Sequence, residues 1–178
     1  MTVQNVYKEG AYKGLYMGAY ITMLSLLSFM SDMVPMFGLL ALVLMVGGPV
    51  MHYVLLCKAY SANGCSANFS ALWVLGITEF VGASLICALF TYSYLTIFDP
   101  DFFYRTIETM AEILKSQPAS QDTYKMLRVS IDGGLVPSNI EYCVQMMMLT
   151  IFSGSILTLI LIPFVKIRYR RQVNKQNV

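Results

Sequence analysis

Four long stretches with almost no charge constrain the fold of this chain more than any other feature. Residues 14–30 and 142–165 contain no Asp, Glu, Lys, Arg or His, residues 33–57 contain only His52, and residues 59–98 contain only Glu79. About 20 mainly apolar residues in a helix cross the hydrocarbon core of a bilayer. Since the chain is 57% apolar and only 12% charged, it has too little polar surface for a soluble domain.

We therefore predict an all-α fold, an integral membrane four-helix bundle that forms a single membrane domain over residues 1–178. The predicted spans cover about residues 11–31, 34–58, 69–98 and 139–166, with an extracytoplasmic helical insert over 99–137 and a basic cytoplasmic tail over 166–178. Lys8 and Lys13 resemble the basic start of a signal peptide, but no small-x-small cleavage site follows the apolar stretch. We expect the first span to remain in the mature protein.

The distribution of Lys and Arg predicts the orientation of these spans. Four spans place both termini on one side, and that side carries eight basic residues against one acid, Glu9. The opposite side, with the first turn and the insert, carries four basic residues against eight acidic ones. Because loops rich in Lys and Arg stay in the cytoplasm, we predict cytoplasmic termini and an insert outside.

The basic residues after the last span predict a contact with lipid. Each Lys or Arg beside an anionic leaflet gains about 1 kcal/mol. The residues in question are Lys166, Arg168, Arg170 and Arg171. We interpret them as a topology anchor on anionic lipid and predict no nucleic-acid partner.

The insert is predicted to form two amphipathic helices. Asp99, Pro100 and Asp101 suit an N-cap, a first-turn proline and a first-turn acid. A second helix is expected over 122–131, ended by Gly133-Gly134, and Ser138 to Glu141 reads as a capping box for the last span. We expect these helices to lie on the bundle or in the headgroup zone. Three roles stay open for them: a lid over the bundle, a surface for a partner, and a gate for a substrate.

Two glycine patterns mark the first two spans. Gly10, Gly14 and Gly18 repeat every fourth residue and give the first helix a bare face, for packing within the chain or for a homo-oligomer. Gly47, Gly48 and Pro49 interrupt the second span and predict a kink, because proline removes a backbone donor. Broken membrane helices mark binding sites in transporters, so this segment is a hinge candidate.

His52 and Glu79 are the two side chains that are costly to place in hydrocarbon. Counted from the turn between spans two and three, they lie at similar depth on adjacent antiparallel helices. A lone carboxylate there costs several kcal/mol, so Glu79 must pair, be protonated or meet water. The pair is either a structural polar bridge or a proton relay.

No sequence pattern is typical of a catalytic centre. The single histidine has no second histidine or paired cysteines at zinc-ligand spacing, and no glycine-rich loop ends in Lys-Ser or Lys-Thr. We predict no catalytic residues, no metal, no cofactor and no enzymatic activity.

The overall layout resembles a known family. The glycine-patterned first span, the tight first outer turn, a third span ending in IFDPDFF, the helical insert and the basic tail are similar to domain-of-unknown-function family 4199, small membrane proteins of Bacteroidota. The resemblance covers about residues 5–170 and implies a bacterial inner-membrane location. It implies no activity and no functional residues.

Two functions are compatible with these features. The first is a non-enzymatic accessory or interaction subunit of the inner membrane, with a homo-oligomer or another membrane protein as partner. The second is a small proton-linked transporter or channel that uses His52 and Glu79.

Overall fold

The computed structural model describes residues 3–31, 34–63, 67–115, 121–135 and 137–176, with side chains described as far as Tyr169. All regular secondary structure in these residues is helical. The six helices are α1 (Val3–Met30), α2 (Pro35–Ala62), α3 (Phe69–Ile97), α4 (Phe102–Lys115), α5 (Gln121–Asp132) and α6 (Asn139–Gln176).

Three segments of these helices are long and apolar enough to cross a membrane, which is consistent with a multi-pass membrane protein. They are Met36–Ala62, Phe69–Ile97 and Asn139–Tyr169. The helix α1 is less apolar, because Lys8, Glu9 and Lys13 lie in its first half and its second half is rich in tyrosine, serine, threonine and glycine. Three of the four predicted spans therefore coincide with such segments.

The helices α2 and α6 continue beyond the predicted spans. α2 ends at Ala62 rather than at residue 58, and α6 ends at Gln176 rather than at residue 166. Lys, Arg and Gln are good helix formers, so the polar boundary of a bilayer does not end a helix. Hydropathy marks where a span leaves the hydrocarbon, and capping residues mark where its helix stops.

The chain divides into two compact units, Met1–Leu89 with Met146–Val178, and Phe90–Gln145. In the first unit, α1 and α3 lie side by side and run in the same direction. A Cβ at Gly10 would touch Thr78, one at Gly14 would lie 2.8 Å from the Glu79 carbonyl oxygen, and one at Gly18 would touch Ala83. The bare face of α1 therefore packs within the chain.

The helix α6 packs antiparallel to α3 through two reciprocal glycines. Gly76 of α3 accommodates Thr158 of α6, and Gly154 of α6 accommodates the ring of Phe80. In both places a Cβ would overlap the facing side chain, so only glycine allows this approach. The helix α2 contacts α1 where the Tyr20 hydroxyl donates to the Leu44 carbonyl.

The main core of the first unit lies towards the end of the bundle that carries Lys58. Its largest fully buried side chains come from α2, α3 and α6: Leu56, Leu72, Leu75, Ile162 and Val165. A smaller cluster of Met17, Phe80 and Ala83 adjoins the middle of α3. Helices α2, α3 and α6 are thus held together on the Lys58 side of His52 and Glu79.

In the second unit, α4 starts later than predicted. The Asp101 carbonyl accepts the first helical hydrogen bond, from the Arg105 amide at 3.0 Å, so α4 begins at Phe102 and not at Pro100. The Asp99 carboxylate pairs with the Arg105 side chain. Asp101, rather than Asp99, is therefore the residue directly before α4.

The other predicted boundaries of the second unit have their expected chemistry. After α5, Gly134 has φ 67°, and the Leu135 amide donates to the Ser130 carbonyl at 2.8 Å, as in a Schellman motif. At the start of α6, the Ser138 amide donates to the Glu141 carboxylate at 2.8 Å, and the Glu141 amide donates back to the Ser138 hydroxyl at 3.4 Å. This is the predicted capping box.

Candidate functional site

The structure brings His52 and Glu79 together in the first unit. His52 Nδ1 lies 3.0 Å from Glu79 Oε1, and both side chains have no exposed surface. α2 and α3 follow each other through a short connection, so residues at equal distances from it meet. The contact joins the titratable groups of two adjacent antiparallel helices.

A third residue, Thr158 of α6, completes the site. His52 Nε2 lies 2.9 Å from Thr158 Oγ1, and the Thr158 hydroxyl donates to the Gly154 carbonyl of its own helix at 2.7 Å. Thr158 also has no exposed surface. The sequence alone did not indicate this residue, because threonine is common in membrane helices and α6 is separated from α3 by the whole insert. The one sequence signal was Gly154, four residues earlier on the same helix face.

The two reciprocal glycines build the site. The space left at Gly76 admits Thr158, and the space left at Gly154 admits Phe80. The Phe80 ring then lies against the imidazole of His52, with ring centroids 4.8 Å apart. Close packing of α3 on α6 therefore positions both the polar partner and the apolar wall of His52.

One atom of the site lacks a partner. Glu79 Oε2 is buried and makes no hydrogen bond to any described residue. A buried polar atom without a hydrogen bond costs about 1–3 kcal/mol, and more when it is charged. The site thus contains one carboxyl oxygen with unused hydrogen-bonding capacity.

The predicted hinge lies within a continuous helix. α2 runs from Pro35 to Ala62 through Gly47, Gly48 and Pro49. The Tyr20 hydroxyl lies against Gly47 and donates a hydrogen bond to the Leu44 carbonyl. Movement at this point stays a prediction.

The basic residues at the end of α6 lie against aromatic rings. Lys166 Nζ is 6.0 Å from the centre of the Phe69 ring, and the Arg168 guanidinium is 6.0 Å from the centre of the Tyr53 ring, within reach of cation–π attraction. The side chains of Arg170 and Arg171 lie outside the described residues. The described part of the chain holds no cluster of three His, Cys, Asp or Glu residues that could ligate a metal.

Comparison with known proteins places the chain in a family. The family described as "Protein of unknown function (DUF4199)" matches residues 8–166. The chain belongs to the DUF4199 family. No curated protein and no solved structure matches it significantly.

The DUF4199 match covers every residue of the site, from His52 on α2 to Thr158 on α6. Its description names no activity, ligand or partner. Membership of the DUF4199 family therefore assigns no function to the site or to the exposed surfaces of the two units.

Proposed function

We propose that the chain is a bacterial inner-membrane protein with four spans. Three are the long apolar segments of α2, α3 and α6, and the additional one is α1. The support is the packing of α1 on α3, since Gly10 to Gly18 lie along Leu75 to Ile86, well inside a segment that is itself able to cross a bilayer. A helix beside that part of α3 occupies the same depth. Four spans put both termini on the side rich in Lys and Arg, which is the cytoplasm.

Within that membrane the protein acts as a non-enzymatic accessory subunit that binds another protein through its insert. The observation that carries this proposal is the exposure of apolar side chains on α4 and α5. Met126 and Val129, neighbours on one face of α5, are 73% and 69% exposed, and Met110 and Ile113 on α4 are more than half exposed. The His52–Glu79 site, by contrast, is sealed from solvent.

The insert also carries an excess of acidic residues. Residues 99–137 contain six Asp or Glu and four Lys or Arg. A partner that covers apolar side chains within such a surface needs an apolar patch with a basic rim. The extracytoplasmic part of another inner-membrane protein with that chemistry is the proposed occupant, and lipid headgroups are the competing one.

Native gels of gently solubilised membranes from the native host test this proposal. The chain should migrate as a larger complex than the same chain purified and reconstituted alone. Met126→Ser combined with Val129→Ser should return it to the smaller size, while Gln121→Ser with Thr123→Ser, at exposed polar positions of the same helix, should not. Identical migration of the native and the purified wild-type chain rejects a protein partner and leaves lipid as the surface that the insert meets.

A second function, proton-linked transport, is favoured by the site itself. A buried carboxyl group with one unpartnered oxygen, bonded to an imidazole between three helices, is the kind of intramembrane group that relays protons. Transport requires that the site open to water on each side in turn. Gly47 to Pro49, which ends three residues before His52 on α2, is where such opening would occur.

Flux into liposomes that contain a trapped pH dye tests transport. The wild-type chain should dissipate an imposed proton gradient faster than protein-free liposomes do, and Glu79→Gln or His52→Ala should abolish the difference. Glu112→Gln, which changes an exposed carboxylate on α4, should retain it. Wild-type flux equal to that of empty liposomes, or unchanged flux in both site variants, excludes this function.

A further inference from the structure

The hydrogen-bond distances of the site limit where its protons can lie. Thr158 Oγ1 is 2.7 Å from the Gly154 carbonyl oxygen, which can only accept, so the hydroxyl proton of Thr158 points to Gly154. Thr158 Oγ1 must then accept from His52 Nε2 at 2.9 Å. The imidazole therefore carries a proton on Nε2.

This assignment leaves one proton for the contact between His52 and Glu79. Nδ1 and Oε1 are 3.0 Å apart, and one of them must be the donor. Either Glu79 is a neutral acid that donates to a neutral imidazole, or a carboxylate accepts from an imidazolium. Both arrangements hold the same number of protons, and both leave the pair with no net charge.

The unpartnered oxygen decides between the two arrangements. An ionised Glu79 would place charge on Oε2, a buried atom with no donor among the described residues, whereas a neutral acid leaves there only a carbonyl-type oxygen. A charged carboxylate oxygen that is buried without a hydrogen-bond donor costs more than a neutral carbonyl-type oxygen in the same place. The proton between the two residues therefore rests on Glu79 Oε1.

We propose that His52, Glu79 and Thr158 form a proton-binding site that holds one exchangeable proton on the hydrogen bond between Glu79 and His52. Thr158 is the positioning residue, because the direction of its hydroxyl sets how many protons the His52–Glu79 pair holds. When the site opens and the pair gives that proton to water, Glu79 becomes a carboxylate. The imidazole proton then moves from Nε2 to Nδ1 to face it. Nε2 becomes an acceptor, and the Thr158 hydroxyl must turn from Gly154 to Nε2.

The other titratable groups beside the site have partners of their own. On α1, Lys13 precedes Gly14 and its Nζ is 2.6 Å from Glu9 Oε1. On α2, Tyr53 follows His52 and lies under the Arg168 guanidinium of α6. On α3 and α6, the residues next to Glu79 and Thr158 in sequence do not titrate. Loss of the proton is thus coupled to Thr158 rather than to a neighbouring charge.

Nitrogen-15 NMR of the purified chain in lipid nanodiscs tests the proposal. The chain has one histidine, so all imidazole signals come from His52. The wild-type spectrum at neutral pH should show a neutral imidazole protonated on Nε2, and the infrared spectrum should show a carboxylic-acid C=O band that Glu79→Gln removes. Thr158→Val should destroy the preference for Nε2, and Thr158→Ser should restore it. Thr150→Val removes a similar hydrogen bond, from the Thr150 hydroxyl to the Met146 carbonyl on the same helix, and should change neither spectrum.

A wild-type imidazole protonated on Nδ1 alone, or a carboxylic-acid band that survives Glu79→Gln, overturns the proposal. So does a Thr158→Val spectrum identical to that of the wild type. If Thr158→Val fails to fold, the wild-type tautomer and the Thr158→Ser spectrum still test whether the imidazole proton lies on Nε2. The inference rests on the same site as the proposed transport function, but it does not require proton flux. A chain that gives the expected spectra and shows no flux would support the proton-binding site and exclude transport.

Discussion

Adding one methyl group at Gly154 should destabilise the protein by moving a ring that holds the site together. A Cβ at Gly154 would overlap the Phe80 ring, which is 4% exposed and lies against His52. Overpacking a close-packed core by a methylene costs about 1–3 kcal/mol. At about 2–4 °C per kcal/mol for a chain of this size, Gly154→Ala should lower the melting temperature by about 2–12 °C relative to a matched glycine-to-alanine change.

Gly82→Ala provides that matched change. A Cβ at Gly82 would lie 3.5 Å from the Gly14 Cα, an ordinary contact, and the substitution brings the same gain in helix propensity of about 0.8–1 kcal/mol. Thermal unfolding of both variants in one detergent, followed by circular dichroism, gives the difference. Equal melting temperatures would refute the idea that close approach of α3 and α6 positions Phe80 and Thr158.

Three further substitutions test separate contacts by thermal unfolding in the same detergent. Tyr20→Phe removes the hydroxyl that donates to α2 and should cost about 0.5–1.5 kcal/mol; an unchanged melting temperature means that this bond contributes nothing. Gly14→Ala, whose Cβ would lie 2.8 Å from a carbonyl oxygen of α3, should melt below Gly82→Ala, and the reverse order would contradict the described packing of α1. Ser138→Ala breaks the capping box of α6 and should cost about 1 kcal/mol, whereas no loss would show that the end of α6 is held by other contacts.

The features that could be predicted from the sequence are those set by the surrounding solvent or by residues close together in the chain. Charge-free lengths located α2, α3 and α6, because only helices satisfy the backbone in hydrocarbon. The glycine pair after α5 and the Ser138 capping box were readable because each acts within a few residues of chain. The hypothesis of a contact between His52 and Glu79 followed from counting along two helices joined by a short turn.

The remainder depended on long-range packing. The position of α6 against α3 is set by Gly76 and Gly154, which are ordinary glycines until the facing helix is known, so Thr158 could not be predicted. The start of α4 was misplaced by two residues, since the first helical carbonyl acceptor is that of Asp101. Asp99 and Asp101 are both good N-cap residues, so the sequence did not distinguish between them.

The sides of the membrane on which the two ends of α1 lie test the membrane account most directly. In a cysteine-free background, Asn5→Cys and Ser31→Cys lie near opposite ends of α1. If α1 spans the bilayer with its start in the cytoplasm, a membrane-impermeant thiol reagent should label Ser31→Cys in intact spheroplasts and Asn5→Cys only after permeabilisation. Labelling of Asn5→Cys in intact spheroplasts would contradict both the fourth span and the cytoplasmic termini.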